Sequence, residues 1–374
     1  MFYTNVQPHG NFIALRGVDD NGEHFQRKVR YEPTLYVPTQ KQSEWKTLEG
    51  KVVAPVKWGS MKESREAMRD YGANVYGPEQ FQYPFISDTY SGDINYDISK
   101  VRIAYIDIEC GSEHGFPNIR LANEEVLAIS IKIDDEFKTY ACGEYNPPSY
   151  VKYIKCENEE QLLTEFVNDW MGDYPDIVTG WNTRFFDIPY LVNRICNVLG
   201  NKMADKLSPW GWLRENEINL MGGRKQQVYE LVGISSIDYM DCYTKFTYRN
   251  HESSEVSTLH ELYKTNFQKY IDYNVKDVLL VERIEKKLKV MEMVISLAYM
   301  AKINFNDVFS PVKMWDMIIY NHLREQKIAI PQKRLENKRG AYEGAYVKDP
   351  KIGRHKWVCS FDLNSKIIRV IMLW

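Results

Sequence analysis

The sequence predicts a mixed α/β protein of two or three domains. Three observations predict it: a strand-rich pattern over residues 1–99, apolar strands followed by helices from residue 100 onward, and a helical pattern that runs to about residue 300. The chain has 374 residues and a mass of 44.0 kDa, more than one hydrophobic core of ordinary size serves. With 44% hydrophobic, 13% aromatic and 26% charged residues it carries enough apolar side chain to offset chain entropy, which excludes a disordered class.

In chain order, FIALRGV, HFQRKVRY and TLYVPT alternate apolar and polar positions between Gly, Pro and Asn-Gly punctuation, so they read as strands, and residues 61–71 read as a helix. The polar, aperiodic tract over residues 86–97 suits a crossing between domains, and a boundary is placed near Lys100. VRIAYIDIEC, VLAISIKI and FKTYACG then read as three buried strands, and residues 159–170 show helical apolar spacing. PDIVTGWN reads as a strand entering a turn, and IPYLVNRICNVLG as a helix with Pro189 in its first turn and Gly200 at its end. Residues 217–231 look like a hairpin around Gly222 and Gly223. Thr258 and Glu261 have capping-box spacing and open a helical region through Met300, expected to be the longest helix. From residue 324 to 356, ten Lys and Arg face four Asp and Glu, and Tyr342 and Tyr346 lie among them.

The 48 Lys and Arg against 51 Asp and Glu give a formal charge of −3, which excludes a uniformly basic nucleic-acid coat protein and leaves room for a local basic groove. The longest apolar stretches, such as residues 294–301, fall short of the roughly 20 residues that a membrane span needs. The polar start MFYTNVQPHG does not read as a signal peptide, so a soluble, intracellular protein is expected, with no membrane partner. Six cysteines lie scattered without C-x-x-C spacing, which argues against a zinc site or a disulfide framework.

Chemistry concentrates in acidic residues. Asp107 and Glu109 stand two apart on an apolar strand, so their carboxylates share a face and repel, and a cationic group is expected to join them. Asp187 follows the turn GWNTRFFD at a helix start, and Asp277 lies four residues after Tyr273 on one helix face. Magnesium and manganese take oxygen ligands, and a pair of such ions activates water and neutralises charge on the leaving oxygen of a phosphodiester. Four carboxylates and a phenol suit that hydrolysis. Singly, each has an ordinary structural reading, a solvated strand edge or a helix cap. No G-x-G-x-x-G follows a strand, which sets aside a nucleotide-binding oxidoreductase.

D-x-E on a strand, N-x-x-x-F-D at a strand-to-helix turn and Y-x-x-x-D on a later helix occur in the order of a proofreading exonuclease. VRIAYIDIE, VTGWNTRFFDIPYLVNRI and YIDYNVKDVLLVERI resemble the three exonuclease motifs of family B DNA polymerases, in the branch of T-even-like tailed bacteriophages. FSPVKMWDMIIYN, YEGAY and CSFDLNS resemble the segments leading into that family's first palm motif. The resemblance implies an RNase H-like 3′→5′ exonuclease domain over residues 100–324. It implies a strand-rich α+β N-terminal domain over 1–99, completed by 325–357, and the truncated start of a palm over 358–374. It further implies that Asp107, Glu109, Asp187 and Asp277 hold two Mg2+ or Mn2+ ions and that Tyr273 orients the attacking water.

By the same resemblance Asn182 and Phe186 line the path of the terminal nucleotides, Phe116 stacks on a frayed base, and Met221 at the hairpin tip separates primer from template. The basic tract, with Lys333, Arg334, Lys338, Arg339 and Tyr342, is expected to contact DNA phosphates, and Asp362 matches one polymerase metal ligand. The implied partners are a single-stranded 3′ end and a primer-template. The family's second catalytic palm motif has no room in this sequence, so polymerisation by the chain alone is not expected. A second polypeptide carrying the rest of the polymerase is expected instead, in the cytoplasm of an infected bacterium. The connection over residues 248–258 reads as shorter than the family's usual one. Two alternatives stay open: a catalytically idle nucleic-acid-binding module, and a free-standing single-strand exonuclease.

Overall fold

A computed structural model of the chain describes residues 1–113, 115–219, 223, 225–246 and 259–332. Met221, Lys333, Arg334, Lys338, Arg339, Tyr342, Asp362, the connection over 248–258 and the expected palm segment lie outside the described residues.

The N-terminal strands form as their alternation predicts. β1 (Phe2–His9), β2 (Phe12–Val18) and β3 (His24–Arg30) make an antiparallel meander, with Gly10 at a positive φ of 59° in the first turn. β1 lies in the opening MFYTNVQPHG, outside the alternating runs, and its first five residues are buried. β4 (Thr34–Pro38), β5 (Trp45–Thr47) and β6 (Val52–Lys57) belong to a second small sheet. α1 (Met61–Tyr71) covers the residues the spacing predicts: Ser60 caps it by accepting from the Glu63 amide at 3.2 Å, and Met61, Ser64, Ala67 and Met68 face inward. α2 (Gln82–Thr89) extends into the tract read as aperiodic.

The central sheet follows. β7 (Ile103–Cys110), β8 (Val126–Ile133) and β9 (Glu136–Ala141) run antiparallel, and β10 (Lys152–Lys155) adds in parallel to β9. α3 (Glu159–Gly172), β11 (Ile177–Thr179), α4 (Asp187–Leu199), α5 (Asn201–Ala204), the hairpin β12 (Leu213–Asn219) and β13 (Lys225–Leu231), then β14 (Ser235–Ser236) and α6 (Tyr239–Phe246) complete this part. The strand order is β10-β9-β8-β7-β11-β14, with β11 parallel to both β7 and β14. One face packs on α3 and α4 through Ile106, Ile108, Phe166, Trp170, Leu191 and Ile195.

The helical stretch toward Met300 is not one helix. It is α7 (Leu259–Thr265), α8 (Phe267–Leu288) and α9 (Val290–Ala301). The first break is at Asn266, whose carboxamide oxygen accepts from the Lys269 amide at 3.0 Å and caps a new start, and the second is at Lys289, which turns left-handed at φ 53°. At 22 residues α8 is still the longest helix among the described residues. It covers the second face of the central sheet, where Tyr270, Ile271, Val275 and Val278 meet Leu127, Phe137 and Ala141.

α9, α10 (Pro311–Glu325) and β15 (Ile328–Ala329) return to the N-terminal strands, and β15 pairs in parallel with β5. A single apolar core joins Phe2, Tyr3, Val6 and Ile13 to Met291, Val294, Ile295 and Phe305. The Asn304 side chain mimics a strand neighbour of β1: its Oδ1 accepts from the Val6 amide at 2.8 Å and its Nδ2 donates to the Val6 carbonyl at 2.9 Å. The buried Arg16 guanidinium ties the N-terminal meander to the central sheet by donating to the carbonyls of Tyr174, Pro175 and Gly233. It lies 3.7 Å from the buried Asp176 carboxylate, which also meets the His24 ring at 2.9 Å. The mixed α/β class with a strand-rich N-terminal part is as expected. No helix among the described residues is long and apolar enough to cross a membrane, and Cys110, Cys142, Cys156, Cys196 and Cys242 are unpaired.

Candidate active site

The site is built where β7, the start of α4 and the middle of α8 meet. Along β7 the pleat sends Ala104, Ile106 and Ile108 into the core against α3 and α4 and leaves Tyr105, Asp107 and Glu109 half-buried on the opposite face. α8 lies over that face and presents Tyr273, Asn274 and Asp277, the last two three residues apart on one side of the helix. The Asn274 side chain is fully buried, and its Nδ2 donates to Asp107 Oδ2 at 2.6 Å. The protein group that meets Asp107 is thus a neutral amide. Tyr273, 39% exposed, donates its hydroxyl to Asp277.

Asp187 reaches the site by a different route. β11 stops at Thr179, and at Gly180 the chain passes so close to β7 that an added Cβ would stand 2.3 Å from the Ile106 carbonyl oxygen and 2.5 Å from Thr183 Cγ2. The chain then turns through Asn182, left-handed at φ 65°, whose carbonyl accepts from the amides of Phe185 and Phe186 at 3.1 and 3.0 Å. With β11 ended, the Ile108 amide donates to Asp187 Oδ1 at 3.1 Å, so a side chain on the first residue of α4 replaces a ladder bond. The turn is also held from below. Buried Asp238 accepts from the amides of Asn182 and Arg184, both at 3.0 Å, and of Met240 at 2.9 Å.

Electrostatics unify these pieces. Burial, then the charges of Asp187, Glu109 and Asp277, push the Asp107 carboxyl well above the ordinary carboxylate range. Glu109 is pushed up to about 8 by burial and by Asp277 and Asp187. Asp187 is raised by burial to about 7, against the opposing pull of the Ile108 amide, and burial raises Asp277 also. Asp107, Glu109, Asp187 and Asp277 thus form one repulsive cluster, and no Lys or Arg among the described residues forms an ion pair with any of them. They are not a preassembled cage: no three His, Cys, Asp or Glu groups among the described residues stand close enough together to hold a metal ion.

The expected DNA-contacting aromatics come together. Phe116 is 83% exposed, its ring lies 5.4 Å from that of Phe186, and Phe186 stacks on buried Tyr190 at 5.6 Å. Asn182 contributes through its backbone turn. Beyond Asp238 a cleft of about 520 Å³ opens, lined by Asn5, Gln7, Arg184, Arg214, Asp307 and Lys313 among others. Its cations are engaged: Arg184 with Asp241, Arg214 with Glu230 and Lys313 with Asp307. Sequence reasoning missed Asn274 and Asp238. The only signal for Asn274 was its spacing of three from Asp277, and Asp238, just before α6, carried none.

Comparison with known proteins places the chain among its relatives. The profile described as the exonuclease domain of DNA polymerase family B matches residues 55–255. The chain is 34% identical to the DNA-directed DNA polymerase of Enterobacteria phage T4 over 411 residues, which covers 97% of this chain and 45% of the relative. It is 34% identical to that of Escherichia phage RB69 over 413 residues, covering 97% of this chain and 46% of the relative. A DNA polymerase delta catalytic subunit from Candida albicans is 23% identical over 310 residues, 74% of this chain and 30% of the relative. The chain therefore spans a little under half the length of the phage relatives. Both phage alignments are longer than the 374 residues of the chain, so each relative carries insertions within the matched span.

Proposed function

The chain belongs to DNA polymerase family B, and from that premise we propose that it carries the proofreading 3′→5′ exonuclease of a replicative polymerase. The observation that carries the reading is the repulsive cluster of Asp107, Glu109, Asp187 and Asp277, gathered from three separate elements without an ion-paired Lys or Arg among the described residues. Such a set is costly unless cations join it. The donors are all oxygen, which fits hard divalent ions, and these four residues would hold two Mg2+ or Mn2+. When bound, the ions supply an activated water and neutralise charge on the leaving oxygen.

The chain's own groups do the rest. Tyr273 spends its proton on Asp277, so its oxygen can accept from the attacking water and fix its orientation. Phe116, exposed over Phe186, offers a face on which an unpaired terminal base stacks. The basic tract containing Lys333, Arg334, Lys338, Arg339 and Tyr342 supplies phosphate contacts, and Met221 at the hairpin tip separates primer from template. In this reading residues 1–99 with 325–357 form the N-terminal domain, 100–324 the exonuclease domain and 358–374 the beginning of the palm. Asp362 works only beside the rest of a palm, with fingers and thumb, in the cytoplasm of the infected bacterium.

The test is to incubate the purified chain with 3′-labelled single-stranded and duplex DNA in Mg2+, in Mn2+ or in excess chelator. Loss of 3′ nucleotides is expected with either ion, faster on single strands, because the terminal base must leave the stack to reach the cluster. Cleavage that persists in chelator, or none with either ion, overturns the reading.

A further inference from the structure

We propose that Asn274 is a positioning residue: its side-chain amide holds the Asp107 carboxylate in the orientation that receives a divalent cation, without adding charge to the cluster. The inference rests on the exonuclease reading and goes beyond it by assigning a residue outside the four carboxylates and Tyr273.

The placement of Asn274 is what a packing role does not explain. Its side chain is completely buried, and its buried neighbours on the sheet-facing side of α8 are Ile271, Val275 and Val278. An aliphatic residue would suit that row. Instead the carboxamide sits there with Oδ1 lacking a hydrogen-bond partner among the described residues, a penalty that a purely structural position has no reason to carry. The other end of the amide is fully used, since Nδ2 donates to Asp107 Oδ2 at 2.6 Å. That bond restricts rotation of the Asp107 carboxylate on β7 and ties it to the same helix that carries Tyr273 and Asp277. The donor's neutrality is the point. A Lys or Arg there would satisfy Asp107 and also neutralise it, competing with any cation, whereas an amide orients an oxygen and leaves its charge available.

The test uses the full chain, with Mn2+ alone as the first probe: free Mn2+ is counted by its paramagnetic resonance signal during titration of wild type, Asn274→Ala and Asp107→Ala. Removing an outer partner of a metal-binding group typically costs about 10- to 100-fold in metal affinity. Asn274→Ala is therefore expected to weaken Mn2+ binding by about that factor, and Asp107→Ala to weaken it further. The second probe is hydrolysis of 3′-labelled single strands. The Mn2+ concentration for half-maximal rate should rise in Asn274→Ala in parallel with the binding shift, while the rate at saturating Mn2+ stays within about threefold of wild type, since every ligand is retained. Should Asn274→Ala fail to fold, Asn274→Ser, which keeps a polar group but is too short to reach Oδ2, carries the same test. Unchanged Mn2+ affinity in the folded variant, or a fall in saturated rate with no shift in metal dependence, overturns the inference alone. A wild-type chain that neither binds Mn2+ nor cuts DNA overturns the exonuclease reading with it.

Discussion

Glu109 is the residue on which the charge balance of the site turns. Its carboxyl is raised to about 8, so in the metal-free chain it is largely protonated near neutrality. A folded-state value above the unfolded one means that the group's contribution to stability is complete below the unfolded value, near pH 4.5, and is lost as the pH climbs through about 8. Asp187, raised to about 7, acts in the same direction. Glu109→Gln should therefore stabilise the metal-free chain more at pH 8 than at pH 5, by on the order of 1–2 kcal/mol after allowance for the group's partial exposure. Thermal unfolding at both pH values reads the difference, and an equal change at both would show that the group is not titrating. Asp107→Ala and Asp277→Ala should each lower exonuclease rate by several orders of magnitude while leaving the fold intact by circular dichroism, since each removes one of several mutually repelling charges. Tyr273→Phe should lose about ten- to a hundredfold, because one positioning hydroxyl goes and no ligand does. That the four carboxylates gather and that Tyr273 meets Asp277 was legible, because their spacing on a strand, at a turn and along a helix is itself the signal. Asn274 and Asp238 were not: an Asn inside a helix or an Asp before one looks like any polar surface residue until tertiary packing buries it.

At the scale of elements, the strands and helices that carry the site fell where periodicity put them, and the departures have local causes. The expected single helix toward Met300 is interrupted because Asn266 caps the amide of Lys269 and Lys289 turns left-handed, features that apolar spacing does not register. β1 was hidden because five consecutive inward or shielded positions leave no alternation to detect. The hairpin of β12 and β13 was visible from its glycines, and it pairs in unbroken register from Leu213 with Leu231 to Asn219 with Lys225. The most demanding element is the turn after β11. Gly180→Ala would force a methyl group against the Ile106 carbonyl and Thr183, so it should cost about 1–3 kcal/mol of stability. Because β7 and the Asp187 turn are the parts displaced, exonuclease rate should fall at temperatures where the variant remains folded. A variant that melts early but keeps full rate at low temperature would show that the turn does not set the position of Asp187.

For the molecule as a whole, the sequence disclosed a strand-rich beginning and an α/β middle but not how they are fastened. Residues far apart in sequence do that: the Tyr3 hydroxyl donates to the Ile303 carbonyl, the Tyr299 hydroxyl donates to the Tyr3 carbonyl, and Asn304 pairs with Val6. None of these has a periodicity to betray it. Arg16 bears the greatest consequence, since its removal would take the guanidinium from the buried Asp176 carboxylate and leave the His24 ring and the Arg102 amide among its remaining partners. Arg16→Ala should destabilise the chain by about 3–5 kcal/mol, measurable as a lower denaturant midpoint. The carbonyls that Arg16 grips, Tyr174, Pro175 and Gly233, stand at the roots of β11 and β14. In mechanical terms the guanidinium is a rivet through the base of the parallel strands, and β11 is the short lever that ends at the turn to Asp187. A pull on the N-terminal meander is thereby delivered to the strand whose far end holds a carboxylate against the Ile108 amide, so tension between these parts of the protein would be felt at the carboxylate cluster before either sheet came apart.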